Sequence, residues 1–273
     1  MKQLYLLLIF LSINCYSQHE FITIWNSTTV APENSIFIPI VHNDSSYFYS
    51  WQPVDENFTP LTPFNTETEV LPNSQNLTIT FPSPGLYRLK IETNSTNFYI
   101  QQLDTNYYSE DLLRIEQWGT INWSSFEKAF QNAIFLDVTA TDIPNLSNVT
   151  NVSYMFSNCS SLVFNNSINS WSTMNIQNFE GMFSYTMSFN QPIGNWNTSS
   201  ATSLNQMFRN AGAFNQFIGD WDVSSVTDFG EMFHYNPIYN QPLKDWSTDS
   251  AIDLGHLFCG ATQFNQDIST FNV

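Results

Sequence analysis

The sequence predicts an α+β to mostly β chain: a short β-sandwich-like amino-terminal domain, then a solenoid of 25-residue coils. Three observations predict it. Trp171, Trp196, Trp221 and Trp246 are separated by 25 residues each time, and Phe271 continues the series. Residues 18–105 lack that period but carry six β-rich runs divided by Asn, Ser, Pro and Thr clusters. Residues 1–17 fit neither pattern and read as a targeting segment.

That first segment is "MKQLYLLLIFLSINCYS". Lys2 supplies a positive start, Leu4 to Ile13 an apolar stretch, and Cys15-Tyr16-Ser17 small side chains at the −3 and −1 positions before Gln18. The apolar run is too short for a transmembrane helix. A signal peptide, export and a secreted or bacterial cell-surface location are expected, with no transmembrane span in the mature chain. Acylation of Cys15 would instead tie the chain to a membrane, although Asn14 stands where that processing expects a small residue.

In residues 18–105, "EFITIW", "SIFIPIV", "SYFYSW", "NLTITF", "GLYRLKIE" and "NFYIQQL" are the six runs. Their β-branched and aromatic content suits a small antiparallel sandwich. Such a domain would cover the open end of the first coil, which a repeat array needs.

From residue 106 the repeats begin. Phe183, Phe208, Phe233 and Phe258 follow their Trp by twelve residues, each preceded by Met182, Met207, Met232 or Leu257. Phe164, Phe189, Phe214, Tyr239 and Phe264 precede a Trp, or Phe271, by seven. Each is followed by Asn: Asn165, Asn190, Asn215, Asn240 and Asn265. Ile168, Ile193, Ile218, Leu243 and Ile268 complete the apolar columns. Earlier, Trp118 and Phe130 keep the spacing, and Pro144 takes the Trp place ahead of Phe156. A 25-residue unit cannot close a core around such residues alone, so copies must pack on copies. Stacked at about 4.8 Å per coil, six units would make a rod roughly 29 Å long, with the Asn residues in an amide ladder. "TSLNQMF" (202–208) suits a short helical turn, with Ser224 or Thr227 as caps in the next unit, and "WDV" (221–223) a strand. The chain stops at Val273, two residues into a seventh unit, which leads us to expect a truncated repeat region.

Stacking separates the cysteines. Cys159 and Cys259, four units apart, would lie near 19 Å from each other, beyond the roughly 7 Å Cα limit of a disulfide. Cys159 is expected as a buried small residue and Cys259 as a free thiol.

Composition excludes some functions. The formal charge is −17 and only seven residues are Lys or Arg, which argues against a nucleic-acid partner. His19, His42, His234 and His256 are scattered, and no metal-, nucleotide- or nucleophile-bearing motif appears. No catalytic, cofactor-binding or metal-binding residue is assigned, and no cofactor is expected. Asp220, Asp222, Asp228 and Glu231 crowd one unit and would suit weak Ca²⁺ binding, or simply a solvated face. The Trp column would serve as a sugar platform if exposed, but in register with Phe, Met and Ile it reads as core.

The stretches "VTNVSYMFSNCSSL" (149–162), "FNQPIGNWNTSSATSLNQMF" (189–208) and "FNQFIGDWDVSSVTDFGEMF" (214–233) resemble BspA-like leucine-rich-repeat bacterial surface proteins. Related repeats occur in mycoplasma-type surface lipoproteins. The resemblance covers residues 106–273, includes "IEQWGTINWSSFEKAFQNA" (115–133) as an opening unit, and implies a leucine-rich-repeat-like solenoid. It also implies a non-enzymatic role in adhesion, with a protein or extracellular-matrix ligand as partner. Pro144 and Tyr239 depart from the family's Trp and Phe. "PSPGLYRLKIE" (82–92) weakly resembles PKD-type immunoglobulin-like modules, although "WQPVD" (51–55) lacks their usual Gly-Asp-Gly turn. A carbohydrate-binding accessory module of a secreted protein, with glycans as ligands, is the alternative.

Overall fold

The computed structural model describes residues 19–28, 34–41, 46–71, 76–95, 97–100 and 111–272. The targeting segment 1–17, including Cys15, and His42 lie outside them. The six β-rich runs all contribute strands: β1 (Phe21–Asn26), β2 (Ser35–Ile38), β3 (Ile40–Val41), β4 (Tyr47–Val54), β6 (Leu77–Thr80), β7 (Leu86–Thr93) and β8 (Phe98–Ile100). To these the structure adds β5 (Thr68–Val70), β9 (Leu112–Gln117), β10 (Trp123–Ser125) and β11 (Asp137–Val138).

Alternation of side chains explains the outer strands. In β6, Leu77 and Ile79 are buried and Thr78 and Thr80 exposed, the pattern of a strand with one wet face. β1 instead is buried along both faces, because it sits inside a six-stranded sheet of order β11-β9-β1-β7-β4-β5. Its neighbours β7 and β9 both run antiparallel to it. Across it, Arg88 of β7 and Glu116 of β9 form a two-pronged ion pair, Nε to Oε2 at 2.6 Å and Nη2 to Oε1 at 3.1 Å. A three-stranded sheet β10-β8-β3 and the pair β2-β6 complete the β-rich part.

Strands from both sides of residue 105 share these sheets. β11 pairs with β9, and β10 with β8, both in parallel. Phe21, the first residue of β1, lays its ring against Trp118, Trp123 and Phe130 of the first repeat unit, with centroids 6.0, 5.2 and 6.5 Å away. Strand pairing and a shared aromatic cluster therefore join the β-rich part to the repeats.

The expected α+β, leucine-rich-repeat-like solenoid is not what forms. The strands lie in these sheets, none of which is solenoid-like, and the one helix among the described residues is the five-residue 3₁₀ turn η1 (Asn166–Ser170). The "WDV" strand and the "TSLNQMF" helical turn are absent, and Ser224 caps no helix; its N–H donates to Asp222 Oδ1. From Asn151 on, the β-type pairing between adjacent units is isolated parallel bridges, such as Asn178 with Ser203 and Ser203 with Asp228.

The reason lies in the backbone. We number positions within a unit from its Trp, so that Trp196 is position 0 and Phe208 position 12. N–H groups at even positions donate to the next unit: Phe179 to Ser203 O, Gly181 to Asn205 O, Phe183 to Met207 O and Tyr185 to Arg209 O. The same four bonds recur from Leu204, Gln206, Phe208 and Asn210 to the following unit. N–H groups at odd positions turn back three residues within their own unit, as Met182 to Phe179 O, Ser184 to Gly181 O and Thr186 to Phe183 O. This alternation is chained turns, and it requires left-handed backbone at positions 10 and 14. Tyr154, Gln206, Glu231 and His256 hold position 10 with φ of 55°, 55°, 56° and 58°. Asn158, Tyr185, Asn210 and Tyr235 hold position 14 with φ of 62°, 60°, 53° and 53°. A strand or helix has no place for such residues.

Like side chains nevertheless meet across units. Trp196 and Trp221 stack with centroids 6.2 Å apart and planes 1° from parallel, and Trp171 and Trp196 at 6.3 Å and 12°. In the four units from Trp171 to Trp246 the Phe at position 12 stacks closely on the aromatic six residues later, as Phe208 on Phe214 at 3.9 Å and Phe233 on Tyr239 at 4.0 Å. The Asn column forms a ladder of another kind than amide to amide. Asn215 N donates to Asn190 Oδ1, Asn240 N to Asn215 Oδ1 and Asn265 N to Asn240 Oδ1. Cys159 is buried and Cys259 exposed, and both are free.

Each indole also reports its register. Trp196, Trp221 and Trp246 donate Nε1–H to Ile168, Ile193 and Ile218 carbonyls at 2.8, 3.1 and 3.1 Å. Trp171 follows the unit in which Pro144 replaces Trp, and its buried Nε1 has no partner. It meets Trp118 edge-on instead, at 5.5 Å and 88°. Trp196→Phe and Trp171→Phe remove similar volume, but only the first breaks a hydrogen bond, worth about 1 kcal/mol. Urea unfolding should find Trp196→Phe the more destabilising by roughly that amount; equal losses would contradict the assigned register.

Candidate ligand-binding face

The aromatic columns that repeat from Trp171 to Trp246 are buried. Trp196 and Trp221 are each 3% exposed, and Phe183, Phe208 and Phe233 are fully covered. Three columns of the chained turns, at positions 10, 13 and 14, vary from unit to unit. Position 10 runs Tyr154, Gly181, Gln206, Glu231, His256; position 13 runs Ser157, Ser184, Arg209, His234, Cys259; position 14 runs Asn158, Tyr185, Asn210, Tyr235, Gly260.

These varied side chains engage one another along the array. Arg209 places Nη1 2.8 Å from Glu231 Oε2 and its guanidinium 5.8 Å from the Tyr185 ring centre. Glu231 also meets His234 Nδ1 at 3.2 Å. The His234 ring packs on Tyr235 at 4.3 Å and lies 5.9 Å from His256. Tyr154 donates its hydroxyl to Glu180 Oε1 at 2.6 Å; burial, then this bond, pushes its pKa above the usual phenol range. Tyr185 and Tyr235 remain 41% and 56% exposed, with Met187 at 56% beside them. Rings, a guanidinium and carboxylates thus stand on a backbone whose polar groups are bonded in alternation, so little further ordering is needed for contact.

Two glycines make room for the tyrosines. A Cβ on Gly181 would stand within van der Waals overlap of the Tyr154 ring, and one on Gly260 would lie 2.5 Å from Tyr235 Cδ1. The tyrosines at positions 10 and 14 therefore lie along the array over the same position of the next unit.

The acidic residues read as a crowded group are dispersed. Asp222 is exposed, and the side-chain and backbone bonds from Ser224 hold its carboxyl below the usual range. Asp228 accepts from Asn205 Nδ2 and Gly230 N, and Glu231 turns to Arg209 and His234. Among the described residues no group of three or more His, Cys, Asp or Glu is placed to hold a metal ion. The array histidines, assigned to different columns, meet because position 13 of one unit faces position 10 of the next. His19 lies elsewhere, bonded to Thr120 Oγ1 at 2.8 Å. The Trp column, being buried, offers no platform to a sugar.

A cleft of about 590 Å³ lies where the sheet meets the first unit and is lined by His19, Phe48, Glu67, Glu92, Thr120 and Asn122 among others. Carboxylates beside it gather around one lysine. Lys90 Nζ sits 2.8 Å from both Glu67 and Glu92 Oε1 and 3.5 Å from Glu20 Oε1. Burial pushes the Glu20 carboxyl up, whereas at Glu92 burial is outweighed by hydrogen bonds from Lys90 and Glu20, which lower it.

A geometry of aromatic files and bonded turns, repeated every 25 residues, defines a tandem-repeat protein. The chain belongs to the family described as "Mycoplasma protein of unknown function, DUF285", whose model matches residues 100–216 and 191–273, well over half of its length. This agrees with the resemblance to BspA-like surface repeats at the level of the family. The matched residues do not reach the PKD-like stretch. Comparison with curated proteins and with solved structures gave no match. No helix among the described residues is long and apolar enough to cross a membrane.

The face can be probed through its glycines. Gly181→Ala should destabilise by about 2–3 kcal/mol, from the Tyr154 clash and the left-handed backbone together. In a Tyr154→Ala background the same change should cost only about 1 kcal/mol. Undiminished loss in that background, read by urea unfolding, would show that Tyr154 does not lie over Gly181.

Proposed function

We propose that this is a non-enzymatic secreted or cell-surface protein whose repeats bind a protein or extracellular-matrix ligand. One observation carries the reading: the repeating Trp and Phe side chains are buried, while Tyr185, Arg209, Glu231, His234 and Tyr235, at positions that differ from unit to unit, engage one another on a bonded backbone. Such a division suits recognition, in which a constant frame presents a varied surface. Tyr, Arg and Met on that surface belong to the residue types favoured at protein interfaces. The bacterial surface-repeat family supports a location outside the cell. A glycan ligand is favoured by one feature only, the exposed rings of Tyr185 and Tyr235.

The test uses the purified chain against immobilised fibronectin, laminin and collagen, and in parallel against a glycan array. Saturable binding to a matrix protein, with no glycan retained, is expected. Glycan binding without protein binding would replace this reading with the carbohydrate one, and absence of both would remove it.

A further inference from the structure

Resting on that reading, we infer that the face around Tyr235 receives an arginine or lysine side chain of a basic polypeptide partner. The chain carries its own template for this contact. At position 14, Tyr185 meets Arg209, which occupies position 13 of the next unit, with the guanidinium 5.8 Å from the ring centre. Glu231 holds that guanidinium from its other side at 2.8 Å. Tyr235 is the same position two units on, with the same left-handed backbone, φ of 53° against 60°. At position 13 of its next unit stands Cys259, a short, exposed side chain. Where the first tyrosine meets a cation from within, the second has Cys259 at that position, is packed by the His234 ring at 4.3 Å, and is the more exposed residue, 56% against 41%.

Charge favours the same occupant. Glu180, Asp228, Glu231 and Asp253 lie in this stretch of the repeats, against Arg209, which Glu231 already neutralises. The whole chain carries −17, so a basic segment is drawn toward it and an acidic one repelled. A cation over a tyrosine face adds a contact that depends on the ring rather than on net charge. That dependence separates a local site from general attraction.

The experiment measures fluorescence anisotropy of labelled deca-arginine and deca-glutamate with the intact chain. Deca-arginine should bind and deca-glutamate should not. Tyr235→Ala should weaken deca-arginine binding by about fivefold. Cys259→Arg, which places in this unit the cation that Arg209 provides two units earlier, should weaken it at least as much. Asp245→Asn changes the net charge by the same single unit outside this stretch and should alter binding by less than about twofold. Equal effects of Cys259→Arg and Asp245→Asn, or no effect of Tyr235→Ala, would overturn the inference in favour of diffuse charge attraction. If deca-arginine fails to bind while a matrix protein is still retained, this inference falls and the broader binding function stands; if both fail, the broader function falls with it.

Discussion

One constraint organises the repeats: in each unit, alternate backbone N–H groups must find a carbonyl either three residues back or in the next unit. Buried peptide groups left unpaired are costly, so the two sets of bonds have to form together. Four bonds at each junction act at once, and a shift by one residue would set each N–H against a carbonyl already accepting a turn bond within its own unit. Register is therefore fixed by the backbone before any side chain is considered. The aromatic files follow from it. Trp meets Trp and Phe meets Phe because the turns bring equal positions together, and the indole N–H then closes onto the Ile carbonyl of the previous unit.

That constraint has a steric cost. Left-handed backbone costs about 1 kcal/mol or more at a non-glycine residue, and positions 10 and 14 are held that way by Tyr154, Gln206, Glu231, Tyr185 and Tyr235 among others. Aromatic burial offsets it, since loss of a buried Phe or Trp typically costs about 3–5 kcal/mol. The bulky residues at the strained positions are also those presented outward. Strain and display coincide because a left-handed residue lifts its side chain off the turn, where it meets side chains of neighbouring units or solvent.

Much of this was legible from the residues. The 25-residue period, the buried Trp, Phe and Ile columns, the separated cysteines and the β-rich runs from Phe21 to Ile100 follow from hydrophobic pattern and β-propensity alone. The chained turns did not, and with them the fold class was misread. Glycine marks left-handed backbone in a sequence, yet at positions 10 and 14 it stands only at Gly181 and Gly260; Tyr, Gln, Glu and Asn fill the other slots and look like ordinary helix or strand residues. Apolar residues three apart then suggest a helix where three-residue turns are the cause. β9 was missed for another reason. "LLRIEQ" lies just ahead of Trp118 and suits the opening of a repeat, but β1 needs a partner on its second edge and takes it. The meeting of His234 and His256 was hidden because columns were compared only with themselves, whereas the turn sets position 13 beside position 10 of the next unit.

The same backbone logic says where a ligand can be recognised. On the Ser/Thr/Asn side of each unit the polar side chains are used by the structure itself: Thr198 Oγ1 bonds to Asp222 O, Thr202 Oγ1 to Gln177 O and Asn197 Oδ1 to Ser199. Along the Asn and Gln columns, amides serve the next unit's backbone in the same way. A partner approaching either surface would have to compete with bonds that hold adjacent units in register. Outside the chained turns the backbone is already satisfied without help from positions 10, 13 and 14, so those side chains are free to differ. They do differ, from Ser to Arg to His to Cys at one position. Variation tolerated by the fold and chemistry suited to contact fall on the same stretch.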